Sequence, residues 1–126
     1  MIESRFHHLA CGTQDVERLA RFYTDVLGLS EMARHFDSDG RVRSIWLDLG
    51  GGLLMIERAR SSREPVEGVA SGFFLLALRV SPAERERLEQ RLIRAGAAIE
   101  SRTEYSSYCR DPDGNRLALS HYPEAS

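Results

Sequence analysis

Phe73-Phe74-Leu75-Leu76-Ala77-Leu78-Arg79-Val80-Ser81-Pro82-Ala83-Glu84 opens the later part of the chain with an apolar run that passes straight into a helix start. The run 73–80 reads as a buried strand. Ser81 can cap the following helix, Pro82 suits its first position, and Glu84 stands three residues after the cap. Leu88, Leu92 and Ala95 continue on one helical face, and Gly96 can end it. Short strands are expected at 98–102 and 105–110. Asp111-Pro112-Asp113-Gly114-Asn115 is a turn, and 116–122 is a last strand.

The same order stands upstream. A strand is expected at 6–11, then Gly12-Thr13-Gln14 as a loop and Asp15 as a helix cap. Val16, Leu19, Ala20, Tyr23, Val26 and Leu27 repeat at helical spacing, so 15–27 reads as an amphipathic helix ended by Gly28. Strands follow at 29–36, 42–49 and 53–57. Asp37-Ser38-Asp39-Gly40 and Gly50-Gly51-Gly52 turn the chain between them. Residues 60–71, with Ser61, Ser62, Pro65 and Gly68 among charges, read as a linker. The chain is therefore a weak repeat of a strand–helix–strand–strand–strand unit, about 4–59 and about 72–122, within one domain spanning 1–126. One unit leaves a sheet face uncovered, so two units are expected to pair. A ferredoxin-like α+β sandwich without a true repeat is the competing reading.

The bulk properties narrow the function. The chain has 126 residues, 42% hydrophobic and 29% charged, an ordinary globular balance for a single domain. A net charge of -2 argues against nucleic acid or an anionic membrane as partner. It also argues against a strongly acidic cleft for a large cationic drug. The two cysteines, Cys11 and Cys109, lie outside any C-x-x-C spacing and read as reduced, packed thiols. Met1-Ile2-Glu3-Ser4-Arg5 has no apolar signal core, and no apolar run is long enough for a membrane span, so a cytoplasmic location is expected.

Three stretches carry a family resemblance: Phe6-His7-His8-Leu9-Ala10, Arg21-Phe22-Tyr23-Thr24-Asp25-Val26-Leu27-Gly28-Leu29, and Asp111-Pro112-Asp113-Gly114-Asn115-Arg116-Leu117. On these the chain resembles the vicinal-oxygen-chelate (glyoxalase / bleomycin-resistance / dioxygenase) superfamily, over about residues 4–122. The resemblance implies an α+β fold of two βαβββ modules paired into a cup-shaped half-barrel, often as a homodimer. It also implies a divalent metal held in the cup by up to four side chains.

Those ligand positions can be carried over one at a time. The histidine on the first strand maps onto His8. The fourth-strand ligand maps onto Met55, the fifth-strand ligand onto Leu75 and the last-strand glutamate onto Ala118. Three of these four residues offer no hard donor. A register slip of two keeps the same sheet face, and it recovers only Glu57. His121 has the wrong parity to share the face of Ala118. No metal and no cofactor is therefore expected, with His8 the one ligand-type residue in place.

The same face carries His8, Met55, Glu57, Phe73, Leu75, Ala77 and Ala118, an apolar floor with few polar groups. Trp46, Tyr105, Tyr108 and Arg110 are expected on its walls, and Arg43 or Arg110 could pair an anionic group. Each has a plainer reading as packing or as an ion pair. Two functions follow: a metal-free protein binding a small, partly aromatic molecule, or a metal-independent lyase or isomerase. In the second, His8 or Glu57 would act as general base and Tyr108 as hydrogen-bond donor, or His8 and Glu57 would keep a degenerate metal site. A structural module with a filled cup is a third possibility.

Overall fold

The computed structural model describes residues 5–125. The strands are β1 (His8–Thr13), β2 (Glu31–Phe36), β3 (Val42–Asp48), β4 (Leu53–Arg58), β5 (Leu76–Arg79), β6 (Ser101–Arg102), β7 (Ser106–Arg110) and β8 (Arg116–Ser120); the helices are α1 (Val16–Arg21) and α2 (Pro82–Arg94). The chain divides into two compact units, Met1–Ser62 and Arg63–Ser126. Each holds one four-stranded mixed sheet, ordered β1-β4-β3-β2 in the first and β5-β8-β7-β6 in the second. In both, the first strand runs parallel to the last and the other pairs are antiparallel. The expected α+β class and the repeated βαβββ order are present. Among the described residues no helix is long and apolar enough to cross a membrane.

In the first unit Asp15 caps α1 by accepting a hydrogen bond from the Arg18 amide at 3.1 Å. The helix does not stay regular to Leu27 as its spacing predicts. It passes into a π-helical turn over Phe22–Val26, with the Leu27 amide bonding Phe22 O at 3.3 Å. The wider turn places both Phe22 and Tyr23 in the core. Gly28 then takes a φ of 80° and Leu29 N bonds Tyr23 O at 2.9 Å, closing the helix with a left-handed residue. Ile45, Leu47, Leu54 and Ile56 are buried on one sheet face, and α1 packs on β3 and β4.

In the second unit the predicted cap is complete. Ser81 Oγ accepts from the Glu84 amide at 3.1 Å, and the Ser81 amide donates back to Glu84 Oε1 at 2.8 Å. The Glu84 carboxyl is held below its ordinary value by these bonds from Ser81. Arg85 and Glu89 of α2 both bond Ser107 of β7, which puts α2 on the Ser107 face of this sheet. Leu76, Leu78, Leu117, Leu119 and Cys109 have the same parity as Ser107.

Two strand boundaries move from their sequence expectations for one reason. β5 begins at Leu76, not at residue 73, because Leu76 pairs with Leu117 and the chain opposite Phe74 and Leu75 is already leaving the Asp111–Asn115 turn. β1 runs from His8 to Thr13, later than 6–11, because His8 pairs with Leu53 immediately after the triple-glycine turn. Phe6 instead lies over that turn: a Cβ on Gly52 would stand 2.2 Å from Phe6 Cδ1. β6 keeps only Ser101 and Arg102 of the expected 98–102.

The linker expected at 60–71 carries no helix or strand. Part of it is docked on the second unit. Pro65 would be 3.0 Å from a Cβ on Gly114, Arg116 Nη1 donates to Gly68 O at 2.7 Å, and Glu67 meets Arg110 at 3.4 Å.

Candidate functional site

Strand alternation sorts the candidate residues onto faces. In the first unit, Ala10, Met55, Trp46 and Ala33 form one rung across all four strands, on the face opposite α1. Gly12, Glu57, Ser44 and His35 form the next rung, and His8 pairs with Leu53 on the rung before. His8, Met55, Glu57 and Trp46 thus lie on one sheet face. His8 and Glu57 are nonetheless two same-face rungs apart. Four residues at ~3.3 Å each separate them by roughly 13 Å along the paired strands. The Nδ1 of exposed His8 lies 2.7 Å from the Nδ1 of His7.

His35 was not singled out from sequence. Its ring lies 4.5 Å from that of Trp46, tilted by 58°. His35 Nε2 and Trp46 Nε1 are shielded from solvent, and neither has a hydrogen-bond partner. An unmade bond of this kind leaves about 1–3 kcal/mol unrecovered per group. The pairing depends on two register irregularities in β2, between Glu31 and Ala33 and between His35 and Phe36. No local sequence signal marks either of them.

In the second unit Ala77, Ala118 and Tyr108 form one rung, on the face away from α2. Arg110 shares their parity but is already engaged: it bonds Glu100 at 3.0 Å, Gly114 O at 2.8 Å and Glu67 at 3.4 Å. The expectation that it waits for an anionic ligand is corrected, because three acceptors surround its guanidinium. Arg116 lies over the Tyr108 ring, 5.9 Å from its centroid. Phe73 is corrected as well. It precedes β5 and is 93% exposed, so it does not stand on the sheet face; Leu75 also precedes the strand. Tyr105, expected on the wall, stacks edge-on with His121 and Tyr122 at 5.8 and 5.1 Å. It stands just before β7 with the parity of Ser107, which is the α2 side.

Arg85 and His121 make a separate polar cluster on that side. Arg85 donates to Ser107 Oγ at 2.6 Å and to the carbonyls of Glu104, Thr103 and Ser106 at 2.9, 2.9 and 2.8 Å. Its Nη1 lies 3.0 Å from His121 Nε2. A guanidinium only donates, so that nitrogen accepts and the imidazole carries its proton on Nδ1, which faces Glu124 O. Burial works to raise the Glu89 carboxyl, but bonds from Arg102 and Ser107 outweigh it and hold the group below its ordinary value. A cavity of about 410 Å³ opens here, lined by Pro82, Ala83, Arg85, Glu86 and His121. It is not the candidate site, because the Arg85 and His121 side chains are committed to the fold.

Burial, reinforced by the charges of Glu100, Asp111 and Glu89, pushes the Cys109 thiol up to about 12. It therefore stays protonated at neutral pH. In the folded protein a thiol reagent should titrate at most one of the two cysteines, with the second reacting only on unfolding; rapid reaction of both would contradict this placement.

The family model of the Glyoxalase/Bleomycin resistance protein/Dioxygenase superfamily matches residues 5–119, and the chain belongs to that superfamily. Among solved structures, a glyoxalase/dioxygenase from Nostoc punctiforme is 24% identical, with a TM-score of 0.76 over 94% of this chain and 90% of that one. The fosfomycin resistance protein FosX from Listeria monocytogenes, in complex with Mn(II) and a dihydroxypropylphosphonic acid, is 17% identical with a TM-score of 0.77, over 95% and 93% of the two chains. A lactoylglutathione lyase from Agrobacterium tumefaciens is 21% identical with a TM-score of 0.68, over 92% of each chain. At these identities the likeness is one of fold. No curated protein matches the chain.

The superfamily's enzymes imply a metal ion, and the donor set of this chain decides whether one fits. Among the described residues no group of three or more His, Cys, Asp or Glu side chains is placed to hold an ion. Met55 and Ala118 are buried, and neither brings a hard donor to its rung. With His8 and Glu57 two same-face rungs apart, the described residues do not fit a divalent metal.

Proposed function

We propose that this chain binds a small, partly aromatic molecule on the helix-free face of its first sheet, without a divalent metal ion. The observation that carries the reading is the rung Ala10–Met55–Trp46–Ala33. It sets an indole and a thioether between two small residues, with Glu57 and His35 on the next rung. That combination of flat apolar surface and few polar groups is the make-up of a small-molecule site. The binding reading stands ahead of a lyase or isomerase. General-base work by His8 needs an orienting partner, and the partner His8 has is His7, not a carboxylate.

A thermal-shift screen of metals and aromatic metabolites tests the proposal. Zinc, nickel and manganese ions should leave the melting temperature unchanged, and an aromatic hit should be weakened by Trp46→Phe. A clear metal-induced rise that His8→Ala abolishes would sink the metal-free reading. A hit unaffected by Trp46→Phe would place binding elsewhere.

A further inference from the structure

The two unpartnered nitrogens on the first sheet identify the chemistry of that ligand more narrowly. Trp46 Nε1 and His35 Nε2 belong to neighbouring strands and to one sheet face, and both are shut off from solvent without a partner. An indole N–H can only donate, and an imidazole Nε2 can carry a proton and donate as well. A position that required bulk alone would be served by Phe or Leu, which leave no polar atom unsatisfied. With the two rings 4.5 Å apart, a single oxygen acceptor is the simplest partner for both donors.

Resting on the binding reading above, we infer that Trp46 and His35 form a polar anchor for a carbonyl or carboxylate oxygen of the ligand. The ligand class is a small aromatic ketone, amide or carboxylic acid. Its apolar body lies along the Ala10–Met55–Trp46–Ala33 rung, where Ala10 and Ala33 leave space on either side of the larger pair. Both nitrogens are shielded from solvent, so the two rings turn apart as the oxygen enters. His35 and Trp46 are therefore specificity-determining residues, selecting for an acceptor and not only for a flat shape.

Trp46 is the single tryptophan of the chain, so its fluorescence reports on the site directly. Benzoate, acetophenone and toluene serve as probes on the full-length protein. Benzoate and acetophenone should change the emission saturably, whereas toluene, which lacks an acceptor, should not. His35→Leu should weaken benzoate binding about tenfold or more. The same variant should melt a few degrees higher without ligand, by about 2–6 °C, because one unsatisfied nitrogen is gone. A merely structural histidine would not give these opposed signs. Toluene binding as well as benzoate, unchanged affinity in His35→Leu, a lower melting temperature in that variant, or no saturable change with any probe would each overturn the anchor. A metabolite hit that Trp46→Phe weakens but His35→Leu leaves intact would overturn the anchor while the binding reading for the first sheet survived. A complete absence of hits in the metabolite screen would remove that reading too.

Discussion

Arg85→Ala should lower the folding stability by about 3–5 kcal/mol, the range for breaking a buried charged network by removing one partner. The Arg85 side chain is 12% exposed, and its guanidinium joins α2 to both ends of the β7–β8 hairpin. It bonds Ser107 within β7, the carbonyls of Thr103, Glu104 and Ser106 at the entry, and His121 after the exit. Alanine would leave the His121 nitrogen and the three carbonyls without this donor, and His121 itself is 1% exposed. Glu89 would also lose one of the cations near it, at 3.6 Å, keeping Arg102 at 2.8 Å. Arg85→Lys should recover only part of the loss, since an ammonium cannot reach the same spread of acceptors. Urea denaturation followed by circular dichroism measures the difference. A loss below about 1 kcal/mol would mean that the cluster is a surface decoration.

Asp111→Ala should cost about 2–3 kcal/mol, through loss of the acceptor that organises the β7–β8 turn. Asp111 is buried; its Oδ1 accepts from the amides of Asp113 at 2.9 Å and Asn115 at 3.0 Å, and its Oδ2 accepts from Asn115 Nδ2 at 2.8 Å. Without the carboxylate, both amides and Asn115 Nδ2 lose this acceptor. The turn also receives the linker, through Pro65 on Gly114 and Arg63 on Asn115. Loosening it should therefore raise proteolysis within 63–68 as well as lower stability. Asp111→Asn retains one acceptor oxygen and should cost less than half as much. Limited proteolysis beside thermal melting checks both effects; equal loss in the two variants would show that charge, not acceptor geometry, holds the turn.

The second helix was legible almost to the residue because its signals are local. Ser81, Pro82 and Glu84 act within one turn of chain, and their reciprocal bonds depend on nothing distant. The first helix was legible in position but not in form. A π-helical turn answers to how Phe22 and Tyr23 fill the core, which spacing alone does not report. Strand ends were the weakest reading. Whether residues 73–75 belong to β5 depends on where β8 starts across the sheet.

The candidate site divides along the same line. Parity along each strand was enough to group His8 with Met55 and Glu57, and Ala77 with Ala118; Trp46, Tyr108 and Arg110 were expected only on the walls from neighbouring strands. It could not say that Arg110 is held by Glu100 and Glu67, residues 10 and 43 positions away in the chain. Nor could it bring His35 beside Trp46.

What the sequence determined by itself was the scaffold. Apolar spacing, caps and turns are written into short stretches, and the second apolar run feeding Ser81-Pro82-Ala83-Glu84 shows the unit starting again. What only the tertiary structure decided was the company each polar side chain keeps. Those partners are set by strand register, by irregularities such as the two in β2, and by contacts between distant segments. These are non-local choices that no single stretch of chain encodes, and at Trp46 and His35 they leave two nitrogens without a partner.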